Sequence, residues 1–322
     1  MSNFVSPEDE EFRAADAILA SSGFARLSEF ASAEDVRVLL SEGPDQSVAF
    51  YLGADMCVLE RVEIEGGGAP LLLQSFNVTS DPNEVRSGRK WWEGSLALAR
   101  WLRSEANIFS LAGKNVVELG AGATGIPGII AARDLCASKV AVTDALPKLV
   151  DSLSRNIKLN LGESGLDQSA PVEGAAAVQG CPVEARRLDW AEFSGVSPGC
   201  SGGEPLDQPL GVGCEDLRGN VDIVLGAEVI WAGCDPCPLV LTIRDLLKPG
   251  AGVDGGLAFI LMPQGGRGAE VPLLACARDL GLELVSTENA PVDLGTPEIE
   301  KNSSSPVSGS AGHFNIHLFR RR

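Results

Sequence analysis

The sequence predicts an α/β fold: a doubly wound, mainly parallel sheet of seven strands with helices on both faces, preceded by a small α+β region. Three observations predict it. From Trp92 onward, apolar runs of strand length alternate with segments of helical period. The first of these runs ends in a glycine turn, "ELGAGATG" at 118–125, and the second ends in an acid, Asp144. Such alternation implies right-handed crossovers between parallel strands.

The elements follow in order. Ser6, Pro7 and the acids at 8–11 read as an N-cap, a first-turn proline and dipole-matched charge, opening a helix that Gly23 ends. Residues 36–76 hold β-rich pieces, "SVAFYLGADMCVLERVEI" and "LLLQSFNV", broken by "EGGGAP". The polar stretch 79–89 closes an N-terminal accessory region of residues 1–87, and residues 88–322 form the main domain. A helix near 93–105 places Leu98 and Leu102 on one face. Strand 115–119 leads through the glycine turn into a helix beginning "IPGII". Strand 139–144, helix 146–160 and a weaker strand ending at Leu188-Asp189-Trp190 come next. Strand 221–228, helix 236–248, strand 256–263, helix 268–280 and strands near 282–287 and 313–319 complete the run. Segments 161–180, 194–219 and 296–312, rich in Gly, Ser, Pro and Ala, read as loop insertions.

Composition limits the function. Acidic residues outnumber basic ones by 44 to 26, and a net charge of −18 repels phosphate backbones and anionic lipid. A nucleic-acid partner is disfavoured and a cationic one favoured. No apolar run approaches the ~20 residues that span a bilayer, and the acidic start lacks the character of a targeting peptide. The expected compartment is the cytosol, with the nucleus as the alternative, and the expected state is a monomer. Of the eight cysteines only Cys234-Asp-Pro-Cys237 has a ligand-like spacing, and no second pair completes a zinc site. They read as reduced thiols, with a redox role for that pair as the alternative. His313 and His317 share one face of the last strand with Asn315, but a metal site there lacks further ligands. The terminal run of three arginines reads as a solvated tail.

In an open α/β sheet the ligand sits at the carboxyl ends of the strands, where the strand order reverses, and a glycine turn after the first strand lets it approach the backbone. A nicotinamide dinucleotide and S-adenosylmethionine both use this geometry. Asp144 can accept from the ribose diol of either. Glu118 discriminates: a carboxylate at the tip of the first strand repels a pyrophosphate, whereas it can pair with the ammonium of a methionine moiety. Its alternative role is to cap or orient the glycine loop. At "LDW", Asp189 can accept from the adenine amine while Trp190 covers the base, unless Trp190 is simply a core residue. In "GAEVIWAG" the Glu228 carboxylate ends a strand, and Trp231 follows three residues later on a turn or entering helix. A carboxylate attracts an ammonium nucleophile and can take or relay its proton, and an aromatic face tolerates the cation. Plain core packing is the alternative for Trp231.

Assembled, these residues resemble the seven-β-strand class I methyltransferases, Rossmann-like in fold. Within them the chain resembles the Asp-x-x-Tyr family of non-SET protein lysine methyltransferases, the methyltransferase-like 21 group. The resemblance covers roughly 88–322 and rests on "GRKWWEGSLALARWL", "VVELGAGATGIPGI", "AVTDALPKLVDSLSRNIKLN", "LDW" and "VLGAEVIW" in that order. It implies S-adenosyl-L-methionine as cofactor and methyl transfer to a lysine of a protein substrate. Trp92 would be a wall of the cofactor site, Gly120, Ala121 and Gly122 the loop around the methionine moiety, and Asp144 the ribose ligand. Asp189 and Trp190 would contact adenine, and Ala227 would give a backbone contact. The family's acid and aromatic fall on Glu228 and Trp231, where the family usually has aspartate and tyrosine; the longer acid and larger ring bear on the acceptor. Histidine, arginine or a small molecule is the alternative acceptor. A nicotinamide oxidoreductase and a non-catalytic binding module on the same fold are the readings from other classes.

Overall fold

The structure, a computed structural model, describes residues 36–39, 47–52, 55–64, 68–78, 87–104, 109–162, 181–196, 213–250, 255–264, 268–290 and 314–322. Strands β1 (Val36–Leu39), β2 (Ser47–Leu52), β3 (Asp55–Val62) and β4 (Leu71–Val78) form an antiparallel four-stranded sheet in the order β1-β2-β3-β4. The helix expected at 6–23 lies outside the described residues.

The alternating region follows. Its elements are α1 (Glu93–Ser104), β5 (Asn115–Glu118), α2 (Ile126–Arg133), β6 (Lys139–Asp144), α3 (Pro147–Leu161), β7 (Val183–Arg187) and α4 (Trp190–Ser194). They continue with β8 (Ile223–Ala227), α5 (Cys237–Leu246), β9 (Leu257–Pro263), α6 (Glu270–Asp279), β10 (Leu282–Ala290) and β11 (Phe314–Arg321). Their seven strands make one sheet in the order β10-β11-β9-β8-β5-β6-β7. The pairings β5–β6, β6–β7, β5–β8 and β8–β9 are parallel, and β11 runs antiparallel to both β9 and β10. The expected doubly wound, mainly parallel sheet is therefore present; one element differs, because β7 ends at Arg187 and Asp189, read as part of that strand, instead caps α4, which Trp190 opens.

Two apolar layers cover the sheet. One packs α1, α2 and α3 on one face, with Leu98 and Leu102 buried as their spacing requires; the other packs α5 and α6 on the opposite face. Trp101 of α1 is 2% exposed and lies 5.2 Å from the Phe259 ring of β9 and 5.7 Å from Phe109, so α1 is fixed by aromatic contacts as well as by leucines. Arg103 adds an ion pair to Asp134, which caps the end of α2.

The segments read as insertions fall mostly outside the described residues. Of 194–219, residues 194–196 and 213–219 are described. The second part holds a 3-10 turn, Glu215–Leu217, whose Leu217 and neighbouring Cys214 are buried, so the end of that stretch contributes to the second core layer. Cys237 approaches Cys276 of α6, Sγ to Sγ 3.1 Å, across two helices, and this neighbour was not visible in the Cys234–Cys237 spacing. Among the described residues no group of side chains is arranged to hold a metal ion, and no helix is long and apolar enough to cross a membrane.

Candidate active site

The strand order reverses between β5 and β8. Chain leaving β5 turns toward β6 and β7, whereas β8 returns to the other side of β5. In an open α/β sheet a ligand binds outside the carboxyl ends of the strands at such a reversal. The glycine turn after β5 lies there. Gly120 and Gly122 have φ of 59° and 63°, a left-handed backbone that glycine adopts without strain. Space makes the same demand, because a Cβ on Gly120 would lie 3.0 Å from Val229 Cγ1 and 3.2 Å from Trp190 Cζ2. Three segments distant in sequence thus converge on Gly120.

The amides of the turn are mostly committed within the protein. Ala121 N–H donates to the Thr143 carbonyl at 2.9 Å, Gly122 N–H to Asp144 Oδ2 at 3.0 Å, Ala123 N–H to the Gly88 carbonyl at 2.7 Å, and Gly125 N–H to the Ala121 carbonyl at 3.2 Å. Asp144 also accepts from Leu146 N–H at 3.1 Å through Oδ1, and burial raises its carboxyl above the ordinary value, offset by these backbone donors. Each carboxylate oxygen can accept a second hydrogen bond, so Asp144 can serve a diol while it shapes the turn.

Glu118 is 2% exposed. Its Oε2 accepts from Gly128 N–H, in the first turn of α2, at 2.7 Å. Burial is the largest effect on this carboxyl and pushes it up to about 8; the Gly128 hydrogen bond opposes the shift and Asp144 adds to it. The capping role weighed from the sequence is therefore the one the geometry displays. It bears directly on the cofactor question. In a dinucleotide fold the helix N-terminus after the glycine turn offers its amides to the pyrophosphate. Here a buried side chain of the protein already occupies that position.

Asp189 and Trp190 open α4. The Asp189 carboxylate is the N-cap, accepting from Ala191 N–H at 2.9 Å and Glu192 N–H at 3.2 Å. The Trp190 indole is half-buried and packs on the second core layer, with its Cζ2 3.2 Å from where a Cβ on Gly120 would lie. The core role weighed for this tryptophan is thus the one its packing displays.

Ala227 ends β8, opposite Leu261 of β9. Glu228 follows with φ of 55°, one of two non-glycine residues with a left-handed backbone among the described residues. Such a conformation costs on the order of 1 kcal/mol and concentrates at functional sites. Its N–H donates to the Leu261 carbonyl at 2.9 Å, while its Oε2 accepts from Gly94 N–H at 2.9 Å, at the start of α1. Trp231 lies on the turn before α5, closed by Cys234 N–H donating to the Trp231 carbonyl at 3.1 Å, and is 46% exposed. Plain core packing therefore does not describe Trp231. Trp92, just before α1, is 36% exposed. The contact between Glu228 and Gly94 brings the segments carrying these two tryptophans together at the carboxyl end of β8.

Sequence reasoning missed Gly94, Gly88 and Asn156. A Cβ on Gly94 would lie 2.6 Å from Glu228 Cγ, so this glycine makes room for the acid. Gly88 holds the glycine turn from the linker side, and a Cβ on Gly122 would lie 2.9 Å from its carbonyl oxygen. The two asparagines of "RNIKLN", spaced by four, were the available signal for the third. Of the paired histidines, His313 lies outside the described residues. His317 is buried with Nδ1 3.0 Å from Thr287 Oγ1 and Nε2 3.0 Å from Glu270 Oε1; burial lowers its basicity and Glu270 opposes that.

Sheet order, switch point and glycine turn define a doubly wound, mainly parallel Rossmann-like fold. Residues 74–192 match the family described as lysine methyltransferase. The chain is 25% identical over 242 residues to calmodulin-lysine N-methyltransferase of Arabidopsis thaliana, covering 72% of this chain and 66% of that protein. It is 32% identical over 160 residues to EEF1A lysine methyltransferase 3 of Mus musculus, covering 49% of this chain and 50% of that one. It is 30% identical over 159 residues to histone-arginine methyltransferase METTL23 of Xenopus laevis, covering 49% and 50%. The chain thus spans half to about two thirds of the length of these curated relatives. The resemblance to methyltransferase-like 21-type class I methyltransferases read from the sequence is shown by these matches.

Proposed function

We propose that the protein is an S-adenosyl-L-methionine-dependent protein methyltransferase acting on a lysine side chain of another protein. One observation carries the choice of cofactor: Glu118 caps the first turn of α2 through Gly128 N–H, where a dinucleotide would need a free helix terminus. The residues present fit the methyl donor. Gly120, Ala121 and Gly122 form a close-packed turn in which neither glycine has room for a Cβ, Asp144 offers acceptors for a diol, and Glu118 is an acid at the tip of the strand that leads into the turn. Trp92 walls the site, Asp189 and Trp190 meet the base, and Ala227 contributes its backbone.

When bound, the cofactor supplies an electrophilic methyl group on a sulfonium. The chain's residues do the rest. Glu228 draws an incoming ammonium toward the carboxyl end of β8 and takes or relays the proton that the amine must lose before it can act as nucleophile. Trp231 covers the cation with an aromatic face and limits water. Most of the acceleration comes from aligning the two reactants. The net charge of −18 favours a basic protein segment as partner. The relatives include enzymes named for lysine and for arginine acceptors, and the pairing of Glu228 with Trp231 in place of aspartate and tyrosine makes the acceptor residue the part to be measured.

The test is calorimetric titration with S-adenosylhomocysteine, with NAD in parallel and Asp144→Ala as the negative. Saturable homocysteine-form binding, weakened by the mutation, supports the reading; binding of NAD or of neither ligand overturns it. Labelled-methyl transfer to lysate proteins, followed by mass spectrometry, then separates lysine from arginine and histidine. Absence of any transfer by a chain that binds would leave the non-catalytic binding module.

A further inference from the structure

We propose that Asn156 of α3 is a positioning residue for the glycine turn, and that through it the four-stranded N-terminal sheet is part of the construction of the cofactor site. This rests on the reading of that site as one for an S-adenosyl ligand.

β4 is an edge strand of its sheet, so its outer row of amides needs partners. Three successive outward amides have them. Leu72 N–H donates to Asn160 Oδ1 at 2.9 Å, Gln74 N–H to Asn156 Oδ1 at 2.7 Å, and Phe76 N–H to the Arg89 carbonyl at 2.9 Å. Both asparagines answer in the other direction: Asn160 Nδ2 donates to the Leu72 carbonyl at 2.7 Å and Asn156 Nδ2 to the Gln74 carbonyl at 2.8 Å. The two side-chain amides therefore stand in for a neighbouring strand. The spacing permits it, because two residues of a strand advance about 6.6 Å and four residues of a helix about 6 Å.

Asn156 makes one contact that Asn160 does not. Its Nδ2 also donates to the Ala123 carbonyl at 2.7 Å. Ala123 N–H is held by Gly88, on the linker that joins β4 to α1. The peptide groups on both sides of Ala123, in the middle of the glycine turn, are thus held by groups outside it. Asn156 and Gln74 are fully buried, and the Gln74 side chain is fixed by Ser152 Oγ at 3.0 Å and Arg155 Nε at 3.0 Å. The network thus runs unbroken from β4 through Asn156 to the turn that carries Gly120 and Gly122.

Asn156→Ala and Asn160→Ala separate positioning from docking. Each removes one rung on β4 and lowers thermal stability. Asn156→Ala alone is expected to raise the dissociation constant for S-adenosylhomocysteine about tenfold or more, as loss of a buried hydrogen bond to the turn implies. It is also expected to raise KM for the methyl donor more than it lowers kcat. Equal affinities in wild type and Asn156→Ala, or equal losses in both variants, overturn the inference. Amide exchange in the wild-type chain decides the matter if Asn156→Ala does not fold: S-adenosylhomocysteine is expected to slow exchange at Gln74 as well as in the turn, and no change at Gln74 overturns the proposal. A wild-type chain that binds no S-adenosylhomocysteine overturns the cofactor reading itself, and this inference with it.

Discussion

The carboxylate of Glu228 accepts the backbone N–H of Gly94 at 2.9 Å, joining the end of β8 to the first turn of α1 across 134 residues of sequence. An anion at a helix N-terminus is stabilised there, typically by up to 1 kcal/mol. The same contact fixes the acid proposed to receive the acceptor's proton. A residue that Glu228 needs is therefore one with no side chain.

Gly94→Ala tests that dependence. Its Cβ would lie 2.6 Å from Glu228 Cγ and 2.7 Å from Oε2, so the acid must move. Misplacing a reacting group by about 1 Å can cost up to roughly a hundredfold in rate. Turnover is expected to fall roughly ten- to a hundredfold while S-adenosylhomocysteine affinity stays within about threefold, read from kcat and from calorimetry on the same preparation.

Asp144→Ala and Glu228→Ala divide binding from transfer. Asp144 ends β6 and holds Gly122 N–H and Leu146 N–H. Its loss is expected to weaken S-adenosylhomocysteine binding at least about tenfold, the effect of losing one charge-assisted hydrogen bond. Glu228→Ala is expected to lower turnover more than affinity. Equal loss of affinity in both variants would remove the division of roles.

Glu118 predicts a pH dependence. Its carboxyl is raised by burial from the ordinary 4.5 to about 8, so between these values the native protein holds a proton that the unfolded chain has released. Stability therefore falls as pH rises through this window and levels off above it. Glu118→Gln, similar in shape and unable to ionise, is expected to flatten that slope in urea titrations. If the ligand's ammonium pairs with the ionised acid, affinity for S-adenosylhomocysteine rises with pH by up to about tenfold per unit until about 8. A pH-independent affinity would leave Glu118 as a helix cap alone.

Trp101→Ala tests the anchoring of α1. The ring is 2% exposed between Phe109 and Phe259, and its removal is expected to cost about 3–5 kcal/mol, measured as a shift in urea midpoint.

Much of this was legible in the sequence. Strand Lys139–Asp144 falls where its apolar run placed it, and α1 buries Leu98 and Leu102 as their spacing required. The glycine turn could be found because only glycine accommodates its left-handed backbone with a ligand nearby, a demand that acts on single residues. Glu118 was legible as an acid at a strand tip, but its choice between a ligand and Gly128 was not, since that depends on how α2 leaves the turn. Asp189 likewise appeared as an acid beside a tryptophan, and the N-cap it makes emerged with the start of α4.

The sequence by itself determined the period of each element, the turn after the first strand of the parallel sheet and the acids at the strand ends. These are local properties, set by backbone sterics and by which faces of an element are apolar. Tertiary structure alone decided that Gly94 serves Glu228, that Gly88 and Asn156 hold Ala123, and that Cys237 faces Cys276 rather than Cys234. Those relations join residues 33 to 134 positions apart. No periodicity encodes them, because they arise only when folding packs elements distant in sequence side by side.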